Sequence, residues 1–430
     1  MARRSEGAVW DRTAALLRDP YRFILRGCRR RGADAFATRL LLEPAVCVTG
    51  PHAAAVFQDH GRFTRHRAVP RRINRTLFGR GGVQGLDGAE HGHRKSVFLA
   101  LMSPERVAEL TALVEREFDC AAEGWRGRRK VVLYDEFRAV LTRAVCTWAG
   151  VPLVTADADR RTAQLTALYD YAARVGPRHW RSRLARRAAE DWAADVVGRI
   201  RAGRIEPPED TAAHALAWHR EPDGGLLDEH TAAVELLNVV RPVVAVSVYL
   251  AFAAHALHRH PRWRCELAAE AAAGGTDEAA ADGAVPAAEL FAQEVRRHYP
   301  FFPFVAARAR HDMVLHGLRI ARGRRVLLDL YGINHDPLLW EAPDDFRPER
   351  FRGWRWNLYD FVPQGAGDPA TSHRCPGEPI TVSLIKAVSR RLSRLDYEVP
   401  EQDFTVDMGR VPALPRSRCV IRVPEASTAA

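Results

Sequence analysis

The chain lacks the cysteine patterns that staple small folds or hold zinc. Its seven cysteines, at 28, 47, 120, 146, 265, 375 and 419, are odd in number and never fall into CxxC spacing, so neither a disulfide framework nor a zinc ribbon is indicated. It also lacks a long uncharged apolar run. The N-terminal MARRSEGAVWDRTAALLRDPY carries charges inside its apolar stretch, and the marginal span at 236–254 is interrupted by Arg241-Pro242. No membrane span is therefore expected, and the chain is read as soluble and cytoplasmic. Glycines at 79, 81, 82, 85 and 88 have neither a GxGxxG nor a Walker register, which argues against a phosphate-binding loop. They suit a loop that lies flat against a large ligand or a neighbouring element. Strand-forming patterns are nearly missing between 104 and 220.

What is present is arginine. The formal charge is +11, with basic runs at Arg26–Arg31, Arg65–Arg75, Arg126–Lys130 and Arg178–Arg187. No aromatic stacking platform or recognition helix accompanies them, so solvated faces are expected and no nucleic-acid partner. Helical periodicity runs through 10–30, 104–123, 136–149, 156–173, 181–202 and 210–220. The run from His230 to His260 is apolar all round, as in a helix buried on every side. Short apolar segments split at Glu43-Pro44 predict a hairpin, and 309–336 predicts two or three strands with turns at Gly317 and Gly323. Residues 271–286 read as an Ala/Gly-rich turn. The fold class is mainly α with small β-sheets (α+β), one domain over 1–430, with β-rich parts near 35–60, 305–330 and 393–422.

Two features carry chemistry. Within the apolar 230–260 helix, Pro242 removes a backbone bond to residue 238 and predicts a kink. Arg241 cannot shed its charge, and no acid of this helix shares its face; Glu235 is six positions away. Its partner is either a bound carboxylate or an acid on a distant segment. The second feature is FVPQGAGDPATSHRCPGE, 361–378, which places Cys375 after a glycine-bearing loop and ahead of an apolar-periodic helix. A sulfur there meets free backbone N–H groups and the positive end of the helix, which favours a thiolate. An inert buried cysteine is the alternative. No second Cys or suitably placed His supports a tetrahedral metal centre or a cysteine protease, His373 being too close along the chain. Single-thiolate ligation of haem iron fits better, with basic residues available for two propionates. His91 and Lys95, four apart, are suited to gripping one anion together.

The ordered set Glu294-x-x-Arg297, then PERF (Pro348 to Phe351), then Cys375-Pro376-Gly377, resembles the cytochrome P450 superfamily. More narrowly, Arg65, VQGLDGAEHGHRK at 83–95, Arg241-Pro242, EVRRHYPF at 294–301, LLDLYGINHDP at 327–337 and QGAGDPATSHRCPGE at 364–378 are similar to its bacterial fatty-acid peroxygenases. That resemblance implies haem b with Cys375 as axial ligand of the iron. It implies a structural cluster of Glu294, Arg297 and Arg350, and propionate or haem-edge contacts from Arg65, His91, Lys95 and Arg374. Ordinary monooxygenases of the superfamily carry an acid or amide followed by threonine where this chain has Arg241-Pro242. The resemblance therefore implies hydrogen peroxide as oxidant and no obligatory redox partner, with a fatty-acid carboxylate held by Arg241 as general acid–base for peroxide heterolysis. Products would be 2- or 3-hydroxy acids; glutamine at 84, where decarboxylating members have histidine, leans toward hydroxylation with terminal alkenes minor. Phe78, Val83, Val244, Phe301 and Phe302 are candidate tunnel walls. The alternatives are a redox-partner-dependent monooxygenase using NAD(P)H and dioxygen, and a non-enzymatic haem-thiolate sensor.

Overall fold

The computed structural model describes residues 10–274 and 285–425. About half of the chain is helical, 51%, in a single domain. The strands are β1 (Ala35–Leu40), β2 (Glu43–Val48), β3 (Phe63–Thr64), β4 (Val131–Val132), β5 (Phe304–Ala309), β6 (Met313–Leu315), β7 (Leu318–Ile320), β8 (Arg325–Asp329) and β9 (Val420–Ile421). The main sheet has the order β1-β2-β8-β5-β3, with β4-β9 and β6-β7 as separate two-stranded sheets. Strands β1 and β2 form the hairpin read from Glu43-Pro44; β2 and β8 are parallel, and β8 and β5 antiparallel. This sheet packs with the helix Pro51–Phe57 over an apolar cluster that includes Val46, Val48, Ala307, Val326 and Leu328.

The helical body surrounds the helix Glu229–Ala245. Asp228 caps it by accepting from the Thr231 N–H at 3.0 Å, as an N-cap acid does. Its residues from Ala232 to Arg241 are all buried, and so are Val243 and Val244. Each fully buried Leu or Val there contributes about 1.5–3 kcal/mol, enough to outweigh the ~3 kcal/mol cost of an internal proline. Among the described residues one stretch, Glu229–Arg259, is long and apolar enough to cross a membrane, and 94% of its apolar window is buried inside the protein.

Three expectations change. The 230–260 helix is two helices, Glu229–Ala245 and Ser247–Arg259. The discontinuity lies past Pro242, where the Val246 N–H donates to Val243 O at 3.1 Å and tightens the turn. The 10–30 helix is broken into Thr13–Arg18 and Phe23–Arg29, because Pro20 disfavours helical geometry at Asp19. Residues 309–336 hold three strands, β6, β7 and β8, within the two or three expected, and end in a helical turn at Tyr331–Asn334. The 393–422 tail holds only β9 plus isolated bridges; its prolines deny ladder donors. The predicted 271–286 turn falls partly outside the described residues.

Candidate active site

The cysteine loop is fixed from both sides. Gly365 and Gly367 adopt φ of 111° and 88°, and a Cβ on Gly367 would come within 2.9 Å of Gln58 and Ser372 side-chain atoms. Only glycine tolerates both conditions. The Cys375 N–H donates to Gln364 O at 3.2 Å. The Gln364 side chain accepts from Arg296 Nε and donates to Thr381 Oγ1, each at 3.1 Å. Beyond the cysteine, the helix Glu378–Arg394 begins. Arg374 is fully buried and spends its guanidinium inside the loop: on Glu378, on the carbonyls of Phe361 and Leu358, and over the Trp356 ring at 4.9 Å. It braces the loop, which is a different task from the haem-edge contact expected of it.

Burial pushes the Cys375 thiol up, with Glu378 adding to the rise, while the Gly377 N–H, Lys95 and Arg296 pull the other way. The helix start and the neighbouring cations favour the thiolate, and burial opposes them. Bound iron would decide for the thiolate, because coordination deprotonates a thiol outright.

Half-buried Arg65 and the buried His91 and Lys95 form a basic corner around His373. Burial pulls Arg65 to about 9, Lys95 to about 8 and His91 to about 3, with His373, Lys95 and His60 adding repulsion at His91. Lys95 Nζ donates to the carbonyls of Ser372 and Arg374, and the His91 and His373 rings stand 3.9 Å apart. Arg65 stacks on Phe57 at 4.1 Å and donates to Gln58 Oε1 at 3.1 Å. Nearby His60, Asp87 and His373 bring potential metal-ligand atoms within 4.8 Å of one another. Concentrated positive charge that burial disfavours is the environment an anionic edge would relieve.

The central helix carries the opposite wall. Arg241 is 4% exposed. It donates to Asn238 Oδ1 at 3.4 Å, a weak bond, while its Nε has no partner among the described residues. Burial, then the neighbouring Arg186, pull it to about 9, and Cys375 is close enough to oppose that shift. Glu235 does not serve it. That carboxylate accepts instead from Arg94 at 3.2 Å, the Val83 N–H at 2.8 Å and Asn238 Nδ2 at 3.0 Å. Asn238 also donates to Phe78 O at 3.0 Å and Gln84 Oε1 at 3.3 Å. Gln84, Asn238 and Arg241 thus form one chain of side chains, beside Pro242.

Of the candidate walls, Phe78 lies 5.8 Å from the Arg241 guanidinium carbon, and Val83 is tied to Glu235 through its N–H. Val244 is on the same helix, its carbonyl 3.5 Å from Tyr169 Oη. Phe301 stacks on Tyr249 at 4.5 Å and meets Phe302 edge-on at 4.7 Å. Asn238, Arg94 and Tyr249 were missed in the sequence. Asn238 had a usable signal, an amide three residues before a buried arginine on one helix face; Tyr249, whose hydroxyl is buried and unpartnered, had none.

On the proximal side Glu294 receives Arg297 through two bonds of 2.7 and 2.8 Å and Arg350 at 3.3 Å. A groove of about 850 Å³ opens next to Cys375, lined in part by Leu99, Val107, Thr111 and Val382. Its basic side chains are paired within the chain: Lys386 with Glu289 at 3.0 Å, Arg296 with Glu378 at 3.2 Å and Arg390 with Glu270 at 2.8 Å.

One sulfur, an anion-seeking corner and a buried unsatisfied guanidinium fit a haem held by Cys375 with Arg65, His91 and Lys95 at its edge. The cytochrome P450 family model matches residues 164–410, and the chain belongs to the cytochrome P450 family. Within it, the likeness is to the fatty-acid peroxygenases. The structure of cytochrome P450SP alpha in complex with (R)-ibuprofen is 49% identical, with a TM-score of 0.90 over 96% of this chain and 98% of that one. Cytochrome P450EX alpha with myristic acid is 38% identical, TM-score 0.89 over 97% of each chain. A variant of cytochrome P450 OleT with arachidonic acid is 33% identical, TM-score 0.90 over 98% of each. Among curated proteins, Cytochrome P450 71D94 of Mentha gracilis is 32% identical over 141 residues, 31% of this chain and only 28% of its own length. Cytochrome P450 139 of Mycobacterium bovis is 26% identical over 340 residues, 74% of this chain and 77% of its own.

Proposed function

We propose that this protein is a hydrogen-peroxide-dependent fatty-acid hydroxylase, acting at the α or β carbon of long-chain acids, with decarboxylation to terminal alkenes as a minor route. The observation that carries the reading is Arg241, a buried guanidinium with an unpartnered Nε. Burying such a charge costs several kcal/mol unless an anion meets it, and the ligands in the three similar structures are all carboxylic acids. The internally paired charges of the proximal groove support a catalyst that needs no acidic redox partner there.

A cysteine-ligated haem supplies, when bound, the activation of peroxide and oxygen transfer to carbon. The chain supplies position and proton handling. Arg241 holds the substrate carboxylate, bidentate, with Asn238 steadying the guanidinium. That carboxylate takes a proton from one peroxide oxygen and returns it to the departing one, the general acid–base work that ordinary monooxygenases assign to their own side chains. Fatty acid and peroxide become hydroxy acid and water. Phe78 and Val83 keep the first carbons of the tail dry and in place. Gln84, bonded to Asn238, sets the orientation that separates hydroxylation from decarboxylation; Gln84→His is expected to raise the alkene fraction.

The test is mass spectrometry of products after peroxide and a panel of fatty acids are added to the ferric protein. Hydroxy acids are expected, carrying the oxygen of labelled peroxide. Turnover seen only with NAD(P)H, a reductase and dioxygen would replace this reading with a monooxygenase, and haem binding without turnover under either regime would replace it with a sensor.

A further inference from the structure

The helix Pro177–Arg201 packs on the body through His179, Ser182, Arg186, Ala189 and Ala193, all buried. At 100° per residue, the face diametrically opposite carries Trp180 and Leu184, one turn apart. Such a face is ordinarily polar. Here Trp180 is 64% and Leu184 71% exposed, with Val175, 60% exposed, just before the helix. Arg178, Arg181, Arg183 and Arg187 are exposed around them. From 171 to 189 the sequence contains no acid, and the flanking acids are taken: Asp170 by Arg410 at 2.6 Å and Glu190 by Arg186 at 2.7 Å.

We infer that this face docks on an anionic lipid surface, Trp180 and Leu184 entering the headgroup boundary and the four arginines meeting lipid phosphates. An indole suits that boundary because it has an apolar body and one N–H donor. Arginines add attraction that falls off within a Debye length and so depends on anionic lipid and on salt. The charge ring selects this occupant over a second copy of the same basic chain, for which the like charges would repel. The helix lies on the surface and spans nothing.

The experiment is co-sedimentation of the full-length haem protein with vesicles of phosphatidylcholine, with and without phosphatidylglycerol. Binding is expected only with phosphatidylglycerol, weakened by salt, and reduced roughly tenfold or more in Trp180→Glu/Leu184→Glu. A second variant, Arg181→Gln/Arg183→Gln, is expected to lose binding in proportion to the charge removed. Both variants should keep the wild-type absorbance spectrum, which separates loss of docking from loss of fold. Equal binding by wild type and variants, or none to either vesicle, overturns the inference. Self-association in sedimentation velocity that the same variants abolish, without vesicle binding, overturns it in favour of a second copy.

Discussion

Arg297 and Arg241 are both buried arginines on helices, and they are treated in opposite ways. Arg297 is 0% exposed and saturated: two bonds to Glu294, and others to the carbonyls of Asn334, Pro343 and Asp345 between 2.8 and 3.1 Å. Arg241 is nearly as buried and has one bond of 3.4 Å. A folded chain that satisfies one guanidinium completely can afford to leave the other short only if something outside the chain completes it. The first arginine belongs to the fold, the second to the substrate.

The contrast predicts different failures. Arg297→Ala removes the partner of a fully buried carboxylate and should destabilise the protein by about 3–5 kcal/mol, seen as low yield of haem-loaded protein and a depressed unfolding midpoint. A variant that folds and loads haem normally would erase the distinction. Arg241→Ala should do the reverse. Haem loading and thermal stability hold or improve, since an uncompensated charge is gone, while peroxide-driven turnover of fatty acids falls by about 10²–10⁴-fold. Normal hydroxylation by this variant, followed by mass spectrometry, would falsify the carboxylate relay. Asn238→Ala falls between them. It removes the amide that joins Arg241 to Gln84 and Glu235, and kcat/KM is expected to drop roughly tenfold, the worth of a weak bond to a charged group. An unchanged kcat/KM would show that Arg241 is positioned by packing alone.

Both arginines were visible in the sequence, one through an ExxR spacing and one through its misfit in an apolar helix. The helical body and the hairpin were visible too, because their periodicities reflect burial directly. What the pattern did not carry was the assignment of partners across long separations. Glu235 and Arg94 stand 141 residues apart, and no local rule couples them. Arg374 is held by Glu378, four residues on, and by the carbonyls of Phe361 and Leu358 further back in the loop. At Cys375 the helix-start effect is local while the burial that opposes it comes from the surrounding fold, and bound iron would decide in favour of the thiolate.

Asp329 completes the comparison, as a buried charge-bearing group that can discharge itself where an arginine cannot. It is 1% exposed, accepts from the Gly332 N–H at 2.8 Å, and its Oδ2 has no partner among the described residues. Burial pushes its carboxyl up to about 8, against about 3.9 when unfolded. Between those values the folded state binds the extra proton, so the stabilising contribution is full below the unfolded pKa and is lost as pH rises through the folded one. Denaturant midpoints should therefore fall from pH 5 to pH 8.5 in the wild type, and fall less in Asp329→Asn, with turnover unchanged. Identical pH slopes in the two proteins would mean that Asp329 is ionised in the fold, and that this buried carboxylate, like Arg297 and unlike Arg241, has its charge met from within the chain.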